Sequence, residues 1–230
     1  MAEPRRFGEY FLDGDYVGWK DALRDALQNE ISDDEKARYD TQYLPSYALH
    51  VALKFTGITK NEIDHPRAPE PLRPFEVPRE FVIEHEHSKR FGSLIKLTDR
   101  LLAVDQDLMD VIESLEPGLH QFWPIDIKHA DGTPAPKAYF GMRIRQFIDS
   151  FRPDQSPTES WTGETGTYYI FDFTRKHCAA LSVSKADIGS AHLWRERKLR
   201  SPALLLSDEL VSRIKEKELR LPNVHQLNEI

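Results

Sequence analysis

A chain of 230 residues with 40% hydrophobic and 30% charged residues is long enough to bury a core without disulfides or metal, and too apolar to stay disordered. Its net charge of −7 opposes general binding to phosphate backbones, so nucleic acid is not an expected partner. The single cysteine, Cys178, excludes an intramolecular disulfide and a cysteine-rich zinc site; with no signal-like start and no long apolar run, the chain is expected in the cytoplasm and off the membrane.

The first sixty residues read as helical. Trp19, Leu23, Leu27 and Ile31 recur every four residues behind Asp15 as a cap. Ser32 and Glu35 match a capping box for a second helix, which Pro45 interrupts. A third helix is expected from Ser46 to Phe55, ended by Gly57. Five prolines (Pro66, Pro69, Pro71, Pro74 and Pro78) then forbid helix and most sheet pairing. The expected division is a helical N-terminal section at 1–63, a Pro-rich connector at 64–79 and an α/β body at 80–230.

Within the body, Phe81, Ile83 and His85 alternate with Val82, Glu84 and Glu86, a strand pattern. Val104, Leu108, Val111, Ile112 and Leu115 form an apolar helical stripe that Pro117-Gly118 stops. Gln121 to Ile127 reads as a strand, Asp131-Gly132 as a turn, and Tyr139 to Phe147 as the returning strand of a hairpin. Residues 152–166 read as a loop, and Tyr168 to Phe173 as a strand whose expected partner is Cys178 to Val183. Leu204 to Leu206 makes a short strand, and Ser207 caps a last helix carrying Leu210, Val211 and Ile214. The two capped helices head similar short runs, so both are expected on one sheet face. The fold class is α+β: a mostly antiparallel sheet with helices on one face, preceded by a helical N-terminal section.

Several residue patterns could carry chemistry, and each also has a plain structural reading. His85 and His87 on one side of a strand, about 7 Å apart, could share a zinc, but spacing supplies no third ligand. His177 and Cys178, adjacent on an expected strand, would face opposite sides and could not pair. Gly163 to Thr167 lacks the ending of a phosphate loop, and Asp13-Gly14-Asp15 reads as a turn. Arg195, Arg197, Lys198 and Arg200 read as a solvated loop. No catalytic residue, metal ligand or cofactor is assigned. An enzyme with a non-contiguous His and carboxylate site, or a self-associating structural subunit, stays as an alternative.

Two features bear on binding. Asp105, Asp107, Asp110, Glu113 and Glu116 give one helix an acidic outer edge, and Trp161 and Trp194 fall in expected loops, where tryptophan either packs or binds.

The run Leu108 to Ile125, with its Pro117-Gly118 stop and His120-Gln121-Phe122-Trp123, resembles the polymorphic-toxin immunity family numbered eleven. So do Asp131-Gly132, Tyr139, Ile148-Asp149, Ser156, the run Ile188 to Arg195 and Leu206-Ser207-Asp208-Glu209-Leu210. The resemblance spans roughly residues 76–230. Where the family often carries Gly-Leu-x-Phe, this chain has Leu219-Arg220-Leu221-Pro222-Asn223-Val224, so its C-terminal surface is expected to differ. The resemblance implies a bacterial immunity protein that occludes the active surface of a cognate protein toxin. A basic toxin would suit the acidic edge, which places the expected partner-binding residues at Asp107, Asp110, Glu113, Trp161 and Trp194.

Overall fold

Gly14 begins a strand only a residue after another has ended, and that adjacency shapes the whole sheet. The structure, a computed structural model, describes residues 10–39, 43–57, 70–84, 91–164, 167–170, 174–199 and 203–230. Strand β1 (Phe11–Leu12) pairs in parallel with β4 (Leu94–Leu97), while β2 (Gly14–Tyr16) pairs antiparallel with β3 (Glu80–Ile83). The intervening order is β5 (Leu102–Asp105), β7 (Tyr139–Arg143) and β6 (Gln121–His129), making a seven-stranded sheet ordered β1-β4-β5-β7-β6-β3-β2. Its two edge strands are separated in sequence by Asp13 alone. One extended stretch therefore bonds both ends of the sheet and closes it on itself, a small barrel that leaves no long edge exposed. Four neighbouring pairs are antiparallel and two, β1 with β4 and β3 with β6, are parallel.

Closure needs close backbone approach. A Cβ on Gly14 would lie 2.1 Å from the carbonyl oxygen of Val82, so only glycine lets β2 seat against β3. Gly141 has a similar task inside the barrel, where a Cβ would meet the Trp123 ring at 2.3 Å. The indole N–H of Trp123 donates to the Pro78 carbonyl at 2.8 Å, pinning the proline segment to the barrel.

Alternation sorts the strand residues to two sides. In β5, Ala103 joins an inner cluster, while Leu102 and Val104 join an outer one. The inner cluster holds Phe81, Ile83, Ile95, Trp123, Ile125 and Tyr139, covered by Trp19, Leu23, Tyr47, Val51 and Phe55 from α1 (Trp19–Asn29) and α3 (Leu44–Thr56). The short α2 (Asp33–Tyr39) lies between them in sequence, its Glu35 N–H donating to Ser32 Oγ at 3.2 Å as the capping box requires. The outer cluster takes α4 (Gln106–Leu115) and α7 (Asp208–Glu216) through Leu108, Val111, Ile112, Leu210, Val211 and Ile214. The α+β class holds, with the two capped helices sharing the outer face as expected and the N-terminal helices packing against the inner cluster. Strands from both sides of residues 70–79 pair in this sheet, β2 with β3, and share the inner cluster.

A third cluster lies C-terminally. β12 (Leu193–Glu196) pairs with β13 (Leu204–Leu206) and with β8 (Phe147–Ile148), and β9 (Trp161–Glu164) forms a hairpin with β10 (Thr167–Ile170). The expected strand at Cys178 to Val183 is corrected: Arg175–Ala180 is a helix, α5, capped by the Thr174 hydroxyl, and only Ser182–Val183 (β11) is strand, paired with β14 (Asn228–Glu229). The four-residue helix α6 (Lys185–Ile188) follows β11. A threonine at N-cap fixes the helix start more firmly than the weak strand propensity of the residues behind it. Trp161 and Trp194 also depart from their expected loops, since each lies on a strand.

Candidate functional site

The acidic edge of α4 is narrower than its sequence implies. Asp105 is buried as the N-cap, where Oδ1 accepts from the Leu108 N–H at 3.1 Å and Oδ2 from Lys137 Nζ at 2.6 Å. Asp107 and Asp110 are exposed, the latter accepting from Gln106 Nε2 at 2.7 Å. Glu113 is half-buried and accepts from the Gly118 N–H at 3.0 Å, which ties it to the turn that ends the helix. Asp107, Asp110 and Glu113 thus stay on the accessible part of the helix, and Asp105 and Glu116 leave it.

Glu116 is the site that sequence reasoning misread. It is buried beneath α4, where Oε1 accepts from the His192 N–H at 2.7 Å and from Gln146 Nε2 at 3.0 Å. Oε2 accepts from the Leu193 N–H at 3.0 Å and from His120 Nε2 at 2.9 Å. His120 Nδ1 in turn accepts from the Arg145 N–H at 3.3 Å, so the imidazole proton belongs on Nε2 and points at the carboxylate. Burial alone would raise the Glu116 carboxyl, but the bonds from His120, the His192 backbone and Gln146 outweigh it and hold the group below the usual carboxylate range. One carboxylate thereby ties the end of α4 to β12 and to the segment between β7 and β8.

Two further buried glutamates do similar work. Glu196 Oε2 accepts from the Ser150 N–H and hydroxyl and from the Phe151 N–H at 2.9, 2.6 and 2.9 Å, and burial pushes its carboxyl up despite those bonds. Glu76 accepts from Lys54 Nζ, from the Tyr47 hydroxyl at 3.2 Å and from the Arg73 N–H at 2.9 Å. Glutamate types alone do not mark such roles; partners many residues away make them. These buried carboxylates are satisfied by partners within the fold.

The two tryptophans differ. Trp161 is half-buried, edge-on to Phe151 and Tyr168 at centroid distances of 6.1 and 5.1 Å, with its indole N–H donating to the Ser156 carbonyl at 3.1 Å. Trp194 is 3% exposed within the third cluster, so its ring offers no surface to a partner. The basic run is not a solvated loop: Arg195 is buried on β12, Arg197 pairs bidentately with Asp149 at 2.8 Å, and Lys198 Nζ donates to the Phe151 carbonyl at 3.1 Å. Arg200 lies outside the described residues, as do His85 and His87. Cys178 is fully buried on α5. Among the described residues, no three His, Cys, Asp or Glu side chains gather as a metal site, and no helix is long and apolar enough to cross a membrane.

These features define an α+β barrel protein with an acidic helical surface. The chain matches the family model described as "Immunity protein family (Imm11)" over residues 28–225 and belongs to that family. Its role is thus of the immunity type, and membership implies a cognate toxin as partner. The match begins well before residue 76, so α2 and α3 are part of what the family shares. No curated protein matches the chain.

Proposed function

We propose that this protein binds a cognate toxin and neutralises it by occluding the toxin's active surface. Family membership over residues 28–225 is the observation that carries the reading. The exposed acids of α4, Asp107 and Asp110, with Glu113 beside them, steer encounter with a basic toxin, and Trp161 supplies an aromatic contact at the hairpin. A rim of carboxylates raises the association rate more than it deepens the equilibrium, whereas a part-exposed aromatic lowers the rate of release.

The test is a tagged purification from the native cell, with each stoichiometric co-purifying protein identified by mass. One tight basic partner whose toxicity is abolished by co-production of this chain is the expected result. A partner that stays toxic when bound would overturn occlusion as the mechanism.

A further inference from the structure

The outside of the barrel is unevenly covered. α4 lies over β5 and β7 and packs against α7. Next around the ring come β6, β3 and β2, where Asp15, Glu84 and Asp126 are exposed and Glu80, Val82 and Lys128 half-buried. These positions face outward because their alternates, Tyr16, Phe81, Ile83, Ile125 and Ile127, pack in the inner cluster. Among the described residues, no helix covers this wall.

Its charge is one-sided. Among the described residues, Asp15, Glu80, Glu84 and Asp126 face a single ammonium, Lys128, whose Nζ lies 3.0 Å from Glu80 Oε1. Glu80 and Asp126 sit directly opposite in the parallel register of β3 and β6, and Val82 sits between Asp15 and Lys128. Like charges opposite one another across a strand pair are destabilising, and the one ammonium bonded to Glu80 leaves the facing pair with net negative charge.

We propose that this bare wall seats a lysine- or arginine-bearing segment of the partner protein, with Val82 as an apolar contact at its centre. The docking surface then runs from α4 across β6 and β3. The proposal rests on the reading of the chain as a toxin-binding protein. Charge complementarity selects the occupant, because a nucleic acid, or a second copy presenting the same four carboxylates, would be repelled.

The probe is a fluorescent dodecalysine peptide titrated against the full chain at low salt. Glu80→Lys with Asp126→Lys is expected to weaken binding by about tenfold, and more than Asp107→Lys with Asp110→Lys. A wall reversal that leaves affinity within about twofold would overturn the assignment. The single variant Asp126→Asn gives a second measurement free of any ligand: relief of the facing carboxylates raises the thermal midpoint, and a lowered midpoint overturns the claim of repulsion. Toxin neutralisation separates this proposal from the one it rests on. Peptide loss on wall reversal in a chain that neutralises no toxin retains the wall and removes the toxin reading. Full neutralisation by the reversed wall does the opposite.

Discussion

Thr98 and Gly14, 84 residues apart, exchange two hydrogen bonds: the Gly14 N–H donates to Thr98 Oγ1 at 3.1 Å, and that hydroxyl donates to the Gly14 carbonyl at 2.8 Å. Thr98 follows β4 and Gly14 opens β2, so this exchange sits where the barrel closes. The Tyr16 hydroxyl adds a bond to the Thr98 carbonyl. Deleting residues 1–17 would remove the closing strand and expose the backbone edges of β3 and β4. A loss of stability and a rise in concentration-dependent association are expected, read by thermal unfolding and light scattering. A truncated chain as stable and monomeric as the full one would show that closure contributes nothing.

Glu116 offers the sharpest stability test. Glu116→Ala strands the N–H groups of His192 and Leu193 and the side chains of His120 and Gln146, so a loss of about 3 kcal/mol or more is expected in urea unfolding. His120→Ala removes one of those donors and should cost about half as much. Equal effects would mean that the carboxylate acts mainly through the imidazole and not as a hub for the backbone of β12.

What could be read ahead of the structure was local. Gly57 ends α3, Ser207 caps α7 through the Leu210 N–H at 3.1 Å, and the Asp131-Gly132 turn joins β6 to β7, all because the deciding residues are near neighbours. Barrel closure was not legible, since β1 and β2 are two and three residues long and their partners lie 65 to 85 positions away. Too few alternations fit in such strands to show a period. The acids of α4 carried the same ambiguity: Asp105 and Glu116 share the charge of Asp107 and Asp110, and only the helix rotation relative to the barrel buries one pair and exposes the other.

The contrast between the tryptophans is open to measurement. Trp161→Ala should weaken toxin binding by about 1 to 2 kcal/mol, seen mainly as faster dissociation, because its ring is part-exposed beside Tyr168. Trp194→Phe should lower stability and leave dissociation unchanged, since the ring lies within the third cluster. Surface plasmon resonance with purified toxin separates the two, and faster dissociation from Trp194→Phe alone would reverse their roles.

Charge reversal on α4 probes steering. Replacing Asp107, Asp110 and Glu113 with lysine should slow association by about tenfold at low salt, with the difference shrinking as salt screens the surface. Stopped-flow mixing with toxin at several salt concentrations reads this directly. An on-rate that does not change at low salt would remove α4 from the encounter.

Acid should weaken the fold through two groups acting in one direction. His50 is held down to about 4, first by burial and then by the nearby Lys54 cation, against about 6.5 in an unfolded chain. The unfolded state therefore binds the proton first, and stability present above about 6.5 is lost as pH falls toward 4. Glu116 is also depressed in the folded state, so its contribution is present above the ordinary carboxylate range and lost on further acidification. Glu196, raised by burial, works the other way and regains stability as its proton returns. Glu196 is the same in the natural chain and in a His50 variant, so a comparison of the two isolates His50. His50 stacks on Tyr47 at a centroid distance of 6.3 Å, a contact that phenylalanine preserves without a titrating nitrogen. Urea midpoints at pH 7, 5.5 and 4.5 should therefore fall for the natural chain and fall less for His50→Phe. Parallel curves for the two proteins would show that His50 takes up its proton equally well folded and unfolded.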